Sequence, residues 1–474
     1  MRFLSAVALA MLLAGTARAQ PPAAAEMPAL RYELGQRLKR FEAAWEKQEN
    51  EAPRKRALPH VEKLTQQFFA FQFGEAGRGL DRAGFALLTD EEPGTTRQWA
   101  WSLYAVPETR VVDGKVKELT VTIKQLYTVK GDVPKSLEVQ LWFTDKQITT
   151  IKPQKFPHTV RVPLPPLGDF KGLDRKLYFM VEAGKELRHC TIGISQVADL
   201  DARLEAMKKA TVAFEKVDTI EKATARDRAE LLADLTSGTV PETDLPAAEL
   251  LANAEKMLDG KPAYGADKVG QFWLSVPTSA KGATAARVYV PRGLDANKPV
   301  PVVVALHGMG GSENLFFEGY GAGRIVKECR DRGWLLVAPR GGLGLGGPPP
   351  VPALLEQLAK RYPIDPKRVF IVGHSMGAMQ SVDLVQKNPG RFAALAALGG
   401  GGTVRDAKAF ADLPVFVGVG DKDGIALGMT RGLNKALGGA KKLTYKEYPN
   451  IEHMVIVREA LPDVFELFDK AAGK

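Results

Sequence analysis

The second half of this 474-residue chain contains six short apolar runs that alternate with segments of helical spacing. The runs are Val302–Leu306, Leu335–Ala338, Val369–Val372, Leu395–Leu398, Val415–Val419 and Leu443–Tyr448. Most are continuously apolar, which is typical of parallel strands buried on both faces. Strands that alternate with helices in this way predict a mostly parallel sheet covered on both sides. We therefore expect residues 265–474 to form a doubly wound α/β domain.

The first half of the chain shows two other periodicities. Leu30, Leu34 and Leu38 recur at helical spacing, and helical spacing returns after Asp199. From about Trp99 the period changes to two, which predicts half-buried strands and a small antiparallel β-sandwich. The predicted units are a helical segment at 20–94, the sandwich-like domain at 95–196 and a helical connector at 197–264.

The first residues have the features of an export signal. Arg2 is followed by an apolar run from Phe3 to Leu13 and then by Ala-Arg-Ala at 17–19, a small-x-small cleavage site. The run is too short to cross a bilayer as a helix. We expect residues 1–19 to be a cleaved signal peptide and the protein to be secreted or periplasmic, without a membrane span.

Charge and cysteine content limit the possible partners. A net charge of +10 attracts anionic surfaces such as acidic polysaccharide. No arginine-rich run with interleaved aromatic residues is present, so we expect no nucleic-acid partner. The only cysteines, Cys190 and Cys329, lie in different predicted domains and are interpreted as separate buried thiols, with a single bridge as the alternative.

One apolar run leads directly into Gly-His-Ser-Met-Gly at 373–377, and a helical pattern follows. A tight turn between a strand and a helix presents its serine above the sheet, and the flanking glycines avoid collisions with neighbouring backbone. Ser375 is therefore the predicted nucleophile.

A serine hydroxyl needs a base to take its proton, and histidine is the usual one. Of the six histidines, three precede the predicted α/β domain, His374 lies inside the turn and His307 ends an earlier strand. His453 follows the last strand, where a loop can bring an imidazole over the serine. His453 is therefore the predicted base.

The base in turn needs a carboxylate that fixes its tautomer. Asp421 and Asp423 both follow the strand Val415–Val419 and precede His453, giving the chain order serine, acid, histidine. Asp423 is the predicted acid, because the acid of comparable loops lies three residues beyond the glycine that ends the strand. Asp421, interpreted as a turn cap, is the alternative.

Attack on a carbonyl creates an oxyanion that backbone N–H groups must stabilise. The predicted donors are the amides of Met376 and of Met309, the latter in the glycine-rich sequence His-Gly-Met-Gly-Gly at 307–311. A phosphate-binding loop is excluded because its Lys-Ser/Thr ending is missing. We predict no metal and no cofactor.

Together these motifs resemble those of small secreted α/β-hydrolases related to polyhydroxybutyrate depolymerases, feruloyl and acetyl xylan esterases and peptidases of the prolyl oligopeptidase clan. The resemblance covers roughly residues 265–474, and the sequence departs from it in having Glu452 before His453 where the family commonly has glycine. It implies hydrolysis of an ester or amide through an acyl-enzyme.

Little sequence separates the three triad residues, so no large lid fits between them and we expect an open cleft. Such a cleft suits ester groups on a polymer, and His307, Phe316, Phe317 and Tyr320 are candidate substrate-binding residues, with a core role as the alternative for the aromatic ones. The predicted function is hydrolysis of carboxylic esters, with acylated polysaccharide or polyester as candidate substrates. A serine peptidase and a non-catalytic binding protein with this fold are the alternatives.

Overall fold

The structure is a computed structural model that describes residues 26–143, 146–167, 173–258, 264, 267–278, 282–341 and 348–473. The predicted signal peptide, residues 1–19, lies outside the described residues. Among the helices of the described ranges, none is both long and apolar enough to cross a membrane.

Five helices open the described chain. They are α1 (Met27–Lys47), α2 (Glu51–Val61), α3 (Leu64–Phe69), α4 (Phe73–Ala86) and α5 (Thr95–Ser102). Helix α5 lies at the start of the stretch expected to be β-rich. It buries Trp99 and Ala100, so the change to a period of two begins at Leu103 rather than at Trp99.

Eight strands follow in two sheets, with orders β1-β3-β6 and β2-β8-β7-β4-β5. They are β1 (Leu103–Pro107), β2 (Val111–Asp113), β3 (Glu118–Gln125), β4 (Leu137–Phe143), β5 (Lys146–Ile151), β6 (His158–Pro163), β7 (Asp174–Ala183) and β8 (Glu186–Val197). All neighbours are antiparallel except β2 and β8. Alternate residues such as Val121 of β3 and Val139 of β4 are buried in one shared core, as the period of two predicts.

A larger sheet of eight strands occupies the second half, in the order β9-β10-β12-β11-β13-β14-β15-β16. These are β9 (Gly270–Pro277), β10 (Ala283–Val290), β11 (Val300–Leu306), β12 (Leu335–Pro339), β13 (Ile364–His374), β14 (Ala394–Leu398), β15 (Val415–Gly420) and β16 (Leu443–Tyr448). Only β10 runs antiparallel to its neighbours, and all other pairs are parallel. This is the α/β-hydrolase fold, and the predicted fold class is confirmed.

Nine further α-helices of the described residues join and cover these sheets. They are α6 (Leu200–Val212), α7 (Ile220–Thr236), α8 (Ala247–Leu258), α9 (Leu315–Glu318), α10 (Arg324–Arg332), α11 (Val351–Ala359), α12 (Met376–Lys387), α13 (Leu427–Ala436) and α14 (Ile456–Ala471). Helix α7 of the predicted connector packs against β9, where the Thr224 hydroxyl accepts a 2.9 Å hydrogen bond from the Ser275 N–H. The connector therefore packs as a layer against the large sheet.

The large sheet separates two apolar cores. In β11, Val302 and Val304 face the core that includes α11 and α12, whereas Val303 faces the core that includes α14. This second core also contains the apolar face of α1, including Trp45, which is fully buried. The Trp45 indole N–H donates a 2.9 Å hydrogen bond to Glu459 of α14. The amino-terminal helices are therefore part of the hydrolase core.

Cys190 and Cys329 lie apart and are both free thiols. Cys329 is buried in the core shared with α1, and Cys190 is partly buried on β8. The interpretation as two separate thiols agrees with this arrangement.

Replacing Trp45 tests the docking of α1. We expect Trp45→Ala to lower the free energy of unfolding by about 3–5 kcal/mol, because it leaves a cavity between α1 and α14. Urea unfolding is the measurement, and Leu88→Ala is the control, since Leu88 is 80% exposed and should change stability by at most about 0.5 kcal/mol. Equal stability of the two variants would show that α1 is not docked in solution.

Candidate active site

Ser375 lies at the turn between β13 and α12. Its backbone has φ 55° and ψ −117°, a region that residues with a side chain rarely adopt. The Ser375 N–H donates a 2.9 Å hydrogen bond to the Leu398 carbonyl at the end of β14. The neighbouring strand thus helps to hold the strained turn.

The two glycines that flank Ser375 are required by the backbone around them. A Cβ placed on Gly373 would lie 2.1 Å from the carbonyl oxygen of Gly377. One placed on Gly377 would lie 2.0 Å from the carbonyl oxygen of Leu306, at the end of β11. No side chain fits at either position, as the sequence analysis expects of this turn.

Asp423 and His453 form a buried pair at the same edge of the sheet. His453 Nδ1 lies 2.8 Å from Asp423 Oδ2, and both side chains are almost fully buried. Asp423 Oδ1 also accepts hydrogen bonds from the N–H groups of Ile425 and Ala426, at 3.0 and 2.8 Å. These bonds orient the carboxylate, and a proton on Nδ1 of His453 leaves Nε2 as an acceptor.

The carboxylate also changes the basicity of the imidazole. Burial of His453 opposes its protonation, but the hydrogen bond and the charge of Asp423 outweigh burial and raise the pKa of His453 above 6.5. The ring is therefore a stronger base than a free histidine.

Asp421, the alternative acid, lies elsewhere in the loop. Its Oδ1 accepts a 2.7 Å hydrogen bond from the Asn450 N–H. This bond ties the loop after β15 to the loop that leads to His453. Of the two aspartates, Asp423 is the one that contacts the imidazole.

A buried tyrosine–histidine network joins the loops that surround Ser375. The His374 ring lies 4.6 Å from the His453 ring between centroids, and its Nε2 lies 2.8 Å from the His453 carbonyl oxygen. The Tyr320 hydroxyl lies 2.6 Å from His374 Nδ1 and accepts a 3.3 Å hydrogen bond from the Gly308 N–H.

Burial holds the pKa of His374 well below 6.5, so the ring is neutral at neutral pH. It therefore donates from Nε2 to the His453 carbonyl and accepts from Tyr320 at Nδ1. The connection of Tyr320 and His453 through His374 was not predicted from the sequence, because these residues lie far apart in the chain and each has an ordinary role on its own.

The glycine-rich loop at 307–311 is held from both sides. The Gly341 N–H donates to His307 Nε2 at 2.9 Å, and Nδ1 of the same ring lies 2.8 Å from the Gly308 carbonyl oxygen. Burial lowers the pKa of His307, so the ring is neutral. His307 therefore holds the glycine-rich loop in place. It does not lie on the wall of the cavity described below.

The predicted oxyanion donors lie beside the serine. A Cβ placed on Gly308 would lie only 3.2 Å from Cβ of Ser375, so the glycine-rich loop approaches the serine closely. Within the described ranges, neither the Met309 nor the Met376 N–H donates to a backbone acceptor. Both amides thus lack a backbone partner in the described residues.

A cavity of about 1080 Å³, including its open mouth, contains Ser375 and His453. Met309 and Tyr320 lie on its wall. The opposite wall is formed by side chains of α1 and α3 at the amino terminus, namely Leu34, Leu38, Leu64, Phe68 and Phe69. The sequence analysis did not anticipate this wall, because it comes from helices of the amino-terminal half rather than from an insertion between the motifs.

Two of the candidate substrate-binding aromatic residues belong to the core. Phe316 is completely buried and Phe317 is 5% exposed, and neither is on the cavity wall. The Phe317 ring lies below the Arg287 guanidinium, 4.8 Å from ring centroid to cation. Both residues lie on α9, whose apolar side packs into the core shared with α1. Of the three aromatic candidates, Tyr320 alone is placed on the wall.

Metal binding has no evident site in the described part of the chain. No group of three or more His, Cys, Asp or Glu side chains is arranged there to hold a metal ion.

Comparison with known proteins finds sequence similarity to an esterase over part of the chain. No family model matches the chain. Over 148 residues the chain is 30% identical to a bifunctional acetylxylan esterase/xylanase of Neocallimastix patriciarum, a match that covers 29% of this chain and 21% of that enzyme. The chain thus matches about a fifth of that relative's length.

Solved structures with similarity to this chain include esterases. A feruloyl esterase module from Clostridium thermocellum is 15% identical, with 42% of this chain and 88% of that module covered and a TM-score of 0.36. A thermostable esterase is 17% identical, with 77% and 99% covered and a TM-score of 0.37.

Two carboxyl groups, Glu42 of α1 and Glu452 before His453, are buried near each other. Burial raises the pKa of Glu452 to about 7, although the N–H groups of Met454 and Val455 donate to its Oε1. Burial, with the charge of Glu452 adding to it, raises the pKa of Glu42 well above 4.5. Ionisation of either group therefore weakens the contact between α1 and the histidine loop.

This pair predicts a pH dependence of stability. The folded-state pKa of Glu452 is raised from 4.5 to about 7. The contribution of its protonated carboxyl to the free energy of unfolding is therefore fully present below pH 4.5 and is lost as the pH rises through 7. Glu452→Gln stays neutral and keeps the acceptor oxygen. We expect it to remove up to about 3 kcal/mol of the decrease in unfolding free energy between pH 5 and pH 8.

Urea unfolding at the two pH values is the measurement. Glu466→Gln, on the exposed side of α14, is the control and should leave the decrease unchanged. The prediction fails if wild type and Glu452→Gln lose the same stability between pH 5 and pH 8.

Proposed function

We propose that the protein is an exported serine hydrolase that cleaves carboxylic esters through an acyl-serine intermediate. The observation that supports this most directly is the 2.8 Å hydrogen bond between Asp423 and His453 at the wall of the cavity that contains Ser375. A base oriented by a buried carboxylate, on the wall of a cavity that also contains a half-buried serine, is the arrangement that activates a hydroxyl nucleophile.

In the acylation step, Ser375 Oγ bonds to the ester carbonyl carbon while its proton passes to Nε2 of His453. The bond to the leaving oxygen then breaks, and the imidazolium returns the proton to that oxygen so that an alcohol is released. Asp423 stabilises the imidazolium without taking a proton. The acyl group is left on Ser375.

In the deacylation step, a water molecule attacks the acyl carbon and gives a proton to His453. The bond to Ser375 Oγ breaks, the serine recovers its proton and a carboxylic acid leaves. In both steps the oxyanion is bound by the N–H groups of Met309 and Met376. Each such donor contributes about 3–4 kcal/mol of transition-state stabilisation in related chemistry.

The proposed substrates are acylated polysaccharide or polyester outside the cytoplasm. The similarity to a segment of an acetylxylan esterase/xylanase supports an ester on a carbohydrate polymer. The net charge of +10 favours approach to acidic polymers, and the apolar run with its cleavage site at 1–19 supports export.

Replacement of the proposed triad tests the mechanism. Ser375→Ala or His453→Ala should lower kcat on p-nitrophenyl esters by about a millionfold, and Asp423→Ala by roughly ten-thousandfold. Asp421→Ala is the matched control, because this residue lies in the same loop but contacts Asn450 instead. A larger loss in Asp421→Ala than in Asp423→Ala would reverse the assignment of the acid.

The same panel should include acetylated xylan, feruloyl esters and peptide anilides. We expect ester cleavage to be faster than anilide cleavage. Faster turnover of a peptide anilide would instead identify a peptidase.

The pH profile tests the base. Because His453 must be neutral to accept a proton and its pKa is raised above 6.5, kcat/KM should increase with pH through a value higher than 6.5. A profile that is flat between pH 5.5 and pH 8 would contradict the assignment of His453.

A further inference from the structure

We infer that helices α1 and α3 form an apolar subsite that selects esters with a large apolar group over acetate-sized esters. This inference deepens the proposed function and rests on it. It assigns substrate selection to the amino-terminal helices, which lie outside the α/β-hydrolase sheet.

Helix α3 lies across the catalytic loops. A Cβ placed on Gly310 of the glycine-rich loop would lie 3.1 Å from the ring of Phe68, so the ring packs directly on that loop. At the other side, a Cβ placed on Gly424 would lie 3.7 Å from the side-chain nitrogen of Gln66. Gly424 follows Asp423. The helix therefore spans the distance between the oxyanion donor and the acid.

Helix α1 fixes this arrangement through a charged side chain. The Arg31 guanidinium donates to the Gly310 carbonyl oxygen at 2.5 Å and pairs with Glu242. It also lies over the Phe68 ring, 5.8 Å from the ring centroid. The Arg31 side chain thus joins α1, α3 and the glycine-rich loop, so the two helices are held in contact with the site.

The walls on both sides of the serine are mainly apolar. Helices α1 and α3 contribute three leucines and two phenylalanines, and the catalytic loops contribute Met309 and Met454 opposite them. An acetyl group would leave most of this wall in contact with water. Each further methylene that leaves water on binding is expected to increase kcat/KM about fourfold.

The apolar group could belong to the acid or to the alcohol part of the ester. Two series of esters that share methyl acetate as their parent distinguish these sources. The acid series is methyl butanoate, methyl hexanoate and methyl phenylacetate, and the alcohol series is butyl, hexyl and benzyl acetate. Hydrolysis is followed by titration of the released acid at constant pH.

We expect wild-type kcat/KM to rise at least tenfold along one of the two series relative to methyl acetate. In Phe68→Ala and Phe69→Ala, kcat/KM on the preferred large ester should fall about 10- to 100-fold more than kcat/KM on methyl acetate. Phe68→Leu keeps an apolar wall and should restore most of the preference.

Phe71→Ala is the matched control, because Phe71 belongs to the same segment but is 40% exposed and off the wall. It should behave as wild type with every ester. Thermal unfolding of each variant shows whether it has folded.

Two results would overturn the inference. One is a wild-type enzyme that cleaves methyl acetate as efficiently as all larger esters. The other is an equal loss on small and large esters in Phe68→Ala and Phe69→Ala, since this would mean that the rings only support the glycine-rich loop.

Labelling with a fluorophosphonate separates these results from failure of the proposed function. If Ser375 is labelled and methyl acetate is cleaved but no preference exists, only the subsite is refuted. If wild type is labelled no more than Ser375→Ala and cleaves no ester, the proposed function fails and the subsite fails with it.

Discussion

The close approach of α12 to the end of β11 is the constraint on which the catalytic geometry depends. Because Gly377 has no side chain, the first turn of α12 can lie against the carbonyl group of Leu306. The glycine-rich loop begins at His307, directly after the end of β11. One backbone contact therefore sets the spacing between Ser375 and the loop. Strands β11 and β13 are parallel neighbours, and their carboxyl ends lie at the same edge of the sheet.

The hydrolase half of the chain does not complete its own core. One face of the large sheet is covered by α14 together with α1, and the contact is polar as well as apolar. Glu46 of α1 accepts a hydrogen bond from Arg458 of α14 and lies 3.5 Å from Arg324 of α10. If α1 were removed, the apolar residues beneath it would be exposed as one contiguous patch, which is the kind of surface that causes aggregation.

Sequence patterns predicted the parts of the molecule that depend on local chemistry. The strain at Ser375 and the lack of space at Gly373 arise within the turn, so a pentapeptide in its strand–turn–helix setting was sufficient to find them, whereas the lack of space at Gly377 comes from Leu306 of another strand. The chain order of the loops brought forward His453 and the two aspartates, and the usual position of the acid in comparable loops favoured Asp423, which the structure places in contact with His453. The docking of α1 was not predictable in this way, because an apolar helix face shows that the face is buried but not which surface buries it. For the same reason, only the tertiary structure showed whether Phe316 and Phe317 lie in the core or on the cavity wall.

The hydrogen bond between Trp45 and Glu459 joins residues 414 positions apart in the chain. Contacts of such separation form late, because the loop between them must first be closed. During synthesis, α1 emerges before α14, so the core that they share cannot form until α14 has been made. The wall that α1 contributes to the cavity around Ser375 consequently depends on a contact between distant parts of the chain, and a nascent chain has no finished substrate site until α1 and α14 have met.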